Sequence, residues 1–278
     1  MNPVVANGLV LRNMLAGLAC LLMVTAAQAS DQGRLKAFLK VTGFDVALDS
    51  IALSAGQAPQ MLGMRTGDFG DSWSAMSDQV FASDVMQGMA VDMLAQTIAD
   101  DDLAHAAAFY ASSLGQRLVE VENAAHMVED DTAKRAEGAA LLAGYDDSRR
   151  EVLADLNAAV GSEDSAVRAV QEIQVRFLMA ASQAGVLDNV LDEDALRALI
   201  KEDEAALRQS IREGGLAAAA YTYREIGDAD LIAYTEALND PRMQRVYELM
   251  NAIQHEVMAN RFEVLAERLA GFRQGQEL

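Results

Sequence analysis

Asp100-Asp101-Asp102-Leu103-Ala104-His105-Ala106-Ala107-Ala108-Phe109-Tyr110-Ala111-Ser112-Ser113-Leu114-Gly115-Gln116-Arg117-Leu118-Val119-Glu120-Val121-Glu122-Asn123-Ala124 is the stretch on which the reading of this chain turns. It returns, altered, between Asp228 and Ala252. An offset of 128 pairs Asp100 with Asp228, Asp102 with Asp230, Leu103 with Leu231, Gln116 with Gln244, Arg117 with Arg245, Glu120 with Glu248, Asn123 with Asn251 and Ala124 with Ala252. Eight identities without a gap make internal duplication the first question to settle. In the first copy, Asp100 reads as an N-cap with Asp101 and Asp102 in the first turn, where carboxylates oppose the positive end of the helix dipole. Phe109 and Tyr110 close that helix and Ser112 caps the next. In the second copy, Asp240-Pro241 stands at the equivalent corner, an N-cap followed by proline at N1. Both copies therefore read as helix, tight corner, helix.

Outward from the motif, the chain reads as helix nearly throughout. Leu35, Phe38 and Leu39, then Val46, Leu48, Ile51 and Leu53, predict two short amphipathic helices separated at Gly43. Pro59, Gly63, Gly67 and Gly70 predict the longest loop of the first half over Gly56–Ser72, with Ser72 or Ser74 capping the helix that carries Met76, Val80, Met86, Met89, Met93 and Leu94. Met127–Asp147 reads as polar, interrupted by Gly138 and Gly144. Ser162 or Asp164 opens a helix with Val167, Val170, Ile173, Phe177 and Leu178 on one face. A further helix carries Leu196 to Ile211 and ends at Gly214-Gly215. The last helix is the longest, and its stripe from Met243 to Leu269 requires a partner face. The expectation is an all-α protein of two similar helical halves, 30–161 and 162–278, packed as one body.

Ahead of these halves, the apolar run Met14–Val24 follows a lone Arg12 and precedes Ala27-Gln28-Ala29. That is the layout of a cleavable secretory signal over residues 1–29, cut after Ala29, and it predicts a periplasmic location. The run is shorter than the roughly 20 apolar residues that span a bilayer. Cys20, the only cysteine, follows Gly17-Leu18-Ala19, so a lipoprotein reading has Leu18 one place too close. Removing Arg12 with the signal leaves 22 − 1 = 21 bases against 42 acids. Such a surface repels nucleic acid and anionic headgroups. Few prolines and abundant Ala, Leu, Met and Glu agree with helix.

Phe109-Tyr110-Ala111-Ser112-Ser113-Leu114-Gly115-Gln116-Arg117-Leu118 resembles the signature of the bacterial family called domain of unknown function 2059, whose members carry Phe-Tyr-x-Ser-Pro-x-Gly in secreted helical proteins. Tyr221-Thr222-Tyr223-Arg224 with Asp228–Tyr234 is similar to the C-terminal half of its longer two-copy members, of the alphaproteobacterial type. Ser113 replaces the proline in the first copy and Met243 the glycine in the second. The resemblance implies a helical exported protein and carries no activity with it.

Three constellations are candidates for chemistry. Gly70-Asp71-Ser72 with Asp102-x-x-His105 imitates the blocks of a lipase class, although that chemistry normally sits on an α/β sheet. Met61, Met64, Met86, Met89 and Met93 have helical spacing and soft sulfurs, so they could serve Cu(I), a flexible core or an adaptable groove. His105, His126 and His255 form no paired ligand motif, and the acidic runs lack calcium-loop spacing. The sequence thus predicts no catalytic residue, cofactor or metal. It points to an accessory protein with an unidentified envelope protein as partner, whose candidate interaction face is Tyr110, Arg117, Tyr234, Arg245 and Tyr247. Pairing of the arginines with Glu120 and Glu248 at i+3 is the alternative role for them.

Overall fold

The computed structural model describes residues 31–63, 72–187 and 189–276. The signal segment 1–29, Cys20, Met64 and Gly70-Asp71 lie outside the described residues. Among those described there is helix, turn and no strand, so the protein is all-α. α1 covers 31–42 and leads through Gly43, in the left-handed region at φ 72°, into α2 (Phe44–Asp49) and α3 (Ile51–Ser54). A Cβ at Gly43 would also collide with the Asn123 amide, so conformation and space both demand glycine there. A 3₁₀ turn, Ala55–Gln57, and α4 (Ala58–Met61) occupy the front of the expected loop. α5 is Ser72–Val80 and α6 is Ser83–Thr97.

The two motif copies fold as helix, corner, helix in register with the offset of 128. α7 (Asp100–Tyr110) and α8 (Ser113–His126) are matched by α14 (Asp228–Leu238) and α15 (Pro241–Gln276) in the positions at which each helix starts. Asp100 and Asp228 are first helical residues, with Ala99 and Gly227 as N-caps, so the N-cap role expected of Asp100 is corrected to charge–dipole stabilisation of the first turn, which Asp228 shares. Ser112 does cap α8, its hydroxyl accepting from Gly115 N–H at 3.1 Å. A Cβ on Gly115 would fall well inside 3.0 Å of the Phe109 carbonyl and the Tyr110 backbone, which explains the motif glycine: α8 leaves α7 at contact distance. At the second corner Asp240 accepts from Arg242 N–H at 2.8 Å, and buried Met243 takes the place of that glycine.

Three further expectations need correction. The polar stretch Met127–Asp147 contains a helix, α9 (Asp131–Gly144), capped by Asp130. α9 packs against α13 (Glu204–Thr222), and Gly138 is there because any Cβ would strike the Ala217 carbonyl. α13 also runs straight through Gly214-Gly215, where a helix end was expected. The cost of two glycines, about 1 kcal/mol each, is offset by burial of Ala217, Ala219 and Ala220 just beyond them. The chain breaks earlier, at Asp203, between α12 (Glu193–Glu202) and α13. α10 is Asp147–Val160, and α11, Glu163–Gln183, starts from a Ser162 cap.

The stripe of α15 is covered within the same chain. Met243, Val246, Ile253, Val257, Leu265 and Leu269 are buried, with α11 packed along the helix and α5, α6 and α7 against its other faces. Phe262 meets Phe81 and Phe177 edge-on, at 5.5 and 5.7 Å between ring centroids. Among the described residues, no helix is long and apolar enough to cross a membrane.

Candidate functional site

Reciprocal ion pairs hold the two motif copies together. Arg117 of α8 donates to Asp230 of α14 at 2.9 Å, and its counterpart Arg245 of α15 donates to Asp102 of α7 at 2.9 and 2.5 Å. Aspartate and arginine occupy equivalent positions in both copies, so each copy supplies a cation to the acid of the other. The pairing with Glu120 and Glu248 is therefore not the one formed. The bidentate Arg245 fork holds Asp102 below its ordinary range. Asp100 and Asp228 likewise meet Arg34 and Arg149 from other helices.

Between these pairs the copies enclose an aromatic cluster. Tyr110 and Tyr234 are 2 % and 1 % exposed, and Tyr247 is half-buried. The three hydroxyls form a closed set of hydrogen-bond contacts: Tyr110 to Tyr234 at 3.0 Å, Tyr234 to Tyr247 at 2.6 Å, and Tyr110 to Tyr247. Phe109 stacks on Tyr234, with centroids 5.7 Å apart. Of the five residues expected on one interaction face, the three tyrosines meet, and Tyr110 and Tyr234 are interior and offer no open surface. Arg117 and Arg245 remain half-exposed while committed to ion pairs.

Beside the tyrosines lies Glu122, which the sequence reading missed. Tyr223 donates to its carboxylate at 2.7 Å. Burial pushes the Glu122 carboxyl up to about 7, against the opposing effect of hydrogen bonds from Tyr223 and Tyr234. Burial also raises the phenols of Tyr110, Tyr223 and Tyr234 well above their ordinary value, so they stay protonated. The missed signal was one of period. Gly115, Leu118 and Ala125 are the buried face of α8, and Glu122 falls on that face, an acid where the 3.6-residue repeat calls for an apolar residue.

Glu122 forms part of the wall of a cavity of about 370 Å³ between α1, α2, α8, α9, α10, α13, α14 and α15. Asn123, Asn157, Asn251 and Gln254 bring amides to it, and Phe44, Tyr223, Tyr234 and Tyr247 bring rings. Asn123 Oδ1 is buried without a hydrogen-bond partner. Asn251 commits an amide N–H to the Val160 carbonyl at 3.0 Å. Desolvation, and then the charge of Lys134, push His126 below its usual range. The arrangement can hold a polar molecule by hydrogen bonds and exchange a proton with it near neutral pH.

The other constellations lie elsewhere. His105 faces Asp240 at 3.6 Å while Asp102 is engaged by Arg245, and Ser72 begins α5. Met86 is fully buried, and Met61, Met89 and Met93 pack half-buried against the core. Among the described residues, no group of three His, Cys, Asp or Glu side chains is placed to hold a metal.

The fold and site define a class: an all-helical protein in which two helix-corner-helix units clasp a buried tyrosine–glutamate cluster. Residues 84–143, which run from α6 to the end of α9, match the family described as "Uncharacterized protein conserved in bacteria (DUF2059)". The family inferred from Phe109–Leu118 is thus the one matched, over the segment that includes Gly115, Glu122 and Gly138. No curated protein and no solved structure matches the chain.

Proposed function

We propose that this chain is an exported accessory protein of the bacterial envelope that works by binding, without a catalytic centre. The observation that carries the reading is the cavity at the junction of the motif copies. Its polar lining joins the Glu122 carboxyl, amides and phenols with Thr42, Thr222, His126 and Lys134, a set suited to holding a ligand by hydrogen bonds. Export is supported by the Met14–Val24 run and the Ala27-Gln28-Ala29 site. The strongly acidic balance favours a soluble protein that avoids nucleic acid. A protein partner in the envelope fits the same role, with the cavity and not an open tyrosine face as the binding element.

The test is native mass spectrometry of the full chain purified from its own envelope fraction, beside Ala218→Phe, which places a ring in the cavity wall. The expected result is a chain shortened by residues 1–29 that carries a small molecule in the wild type and none in the variant. An empty wild type, or equal loading of both proteins, would refute the cavity as the binding element. Retention of the N-terminal segment would refute export.

A further inference from the structure

We propose that the cavity beside Glu122 takes a small organic cation with an ammonium head, which sets its charge against the Glu122 carboxylate and its carbon skeleton against the neighbouring rings. This rests on the binding role proposed above and adds the chemistry of the ligand.

Several polar groups of the cavity are already committed. The hydroxyls of Tyr110, Tyr234 and Tyr247 are engaged with one another and, for Tyr234, with Glu122, and Tyr223 spends its proton on Glu122. Asn251 uses an amide N–H on Val160. Among the described residues of the wall, the buried side-chain atom left without a hydrogen-bond partner is an acceptor, Asn123 Oδ1, on the residue after Glu122. Uncommitted acceptors ask for a ligand that donates, and an ammonium is the strongest small donor.

Charge points the same way. The two basic residues in the cavity wall, Lys134 and His126, are already occupied or neutral. Lys134 pairs with Asp131 at 3.2 Å and reaches the Ala125 carbonyl at 3.4 Å, and His126 is held below its usual range. The groups facing Glu122 from α7, α13, α14 and α15 are the phenols of Tyr110, Tyr223, Tyr234 and Tyr247, which hydrogen-bond but carry no charge. α10 and α2 contribute Asn157, Val160 and Phe44. Glu122 is thus a carboxyl in low dielectric without a counterion, and its protonation near neutrality is the symptom. A cation supplies the missing charge, and electron-rich rings around it add cation–π attraction. A bound anion would face Glu122, and would have to share Lys134 with Asp131. The net charge of −20 draws cations toward the protein.

Ammonium binding then requires the ionised carboxylate, so affinity must rise with pH through the range in which Glu122 loses its proton. The test uses one carbon skeleton with three heads: n-butylammonium, n-butanol and butyrate, titrated into the intact protein by ligand-observed NMR at pH 5 and pH 8. The expected result is saturable binding of butylammonium alone, at least tenfold tighter at pH 8 than at pH 5. Glu122→Gln is expected to lose that binding and the pH effect while keeping the helical circular dichroism of the wild type. Should that variant misfold, Ala218→Phe replaces it, with the same loss expected. Binding of butanol or butyrate without butylammonium would overturn the ligand class and leave the binding role standing. No binding by any probe, with an empty wild type in mass spectrometry, would overturn both.

Discussion

Replacing Glu122 by glutamine should change how stability depends on pH, and the size of the change follows from the site. The glutamate is protonated in the folded protein up to about 7, against 4.5 for a free carboxyl. Its folded value is raised, so between these limits the native state binds more protons than the unfolded chain. The wild type therefore loses stability as pH rises from about 4.5 to about 7 and stays at the lower level above that. At about 1.4 kcal/mol per pH unit, the full effect is roughly 3 kcal/mol, of which about 2.5 kcal/mol falls between pH 5 and pH 8. Glutamine keeps the shape, can still accept from Tyr223, and has no proton to lose. Melting temperatures of both proteins, taken by calorimetry across that range, should diverge. The variant should gain about 5–10 °C on the wild type by pH 8, from about 2–4 °C per kcal/mol for a chain of this size. Parallel curves would mean that Glu122 is ionised inside the fold and that the cavity argument starts from a false premise.

Other changes test the packing. Gly138→Ala should cost about 2 kcal/mol or more, because its Cβ meets the Ala217 backbone, whereas Gly88→Ala, with nothing within 4 Å, should stabilise by about 0.5–1 kcal/mol; chemical denaturation of the pair reads the contrast. Arg245→Ala should lower the melting temperature more than Arg117→Ala, since the Asp102 carboxylate it abandons is 11 % exposed and Asp230 is 38 % exposed; equal effects would contradict the asymmetry. Met86, Met89 and Met93 changed together to leucine should keep stability within about 1–2 kcal/mol, as the side chains are nearly equal in volume, and submicromolar Cu(I) binding lost in that variant would overturn their assignment to the core. A generic ester assay should show no turnover above background, and turnover abolished by Ser72→Ala would overturn the binding role.

What the sequence made legible were features with a local cause. Ser112 before a helix, Asp240-Pro241 at a corner and the 3.6-residue stripe of α15 each depend on residues within a turn or two of one another, and each stands where expected. The failures come from causes distant in sequence. Gly138 reads as a breaker in isolation, yet it is a contact surface for a carbonyl of Ala217 on another helix. Gly214-Gly215 reads as a terminus, yet packing beyond it carries α13 onward. Tyr110 and Tyr234 read as exposed recognition residues because nothing local shows that their hydroxyls satisfy each other 124 positions apart.

The crossed ion pairs join these observations. If the motif copies were independent units side by side, Arg117 would serve its own helix through Glu120, and Arg245 through Glu248. Instead each arginine crosses to an aspartate in the first turn of the other copy's first helix. Equivalent residues exchanging partners in this way is the pattern of an isologous contact, here between two segments of one chain. Tyr110 from the first copy and Tyr234 and Tyr247 from the second close the cluster, while Glu122 and Asn251 stand on opposite copies around the cavity. Neither copy contains the site alone. The two differ at the corner: Gly115 lets α8 press onto α7, while Met243 fills the corresponding position of α15. The crossed pairs thus hold together the helices around a cavity that carries one carboxyl, Glu122, in its wall.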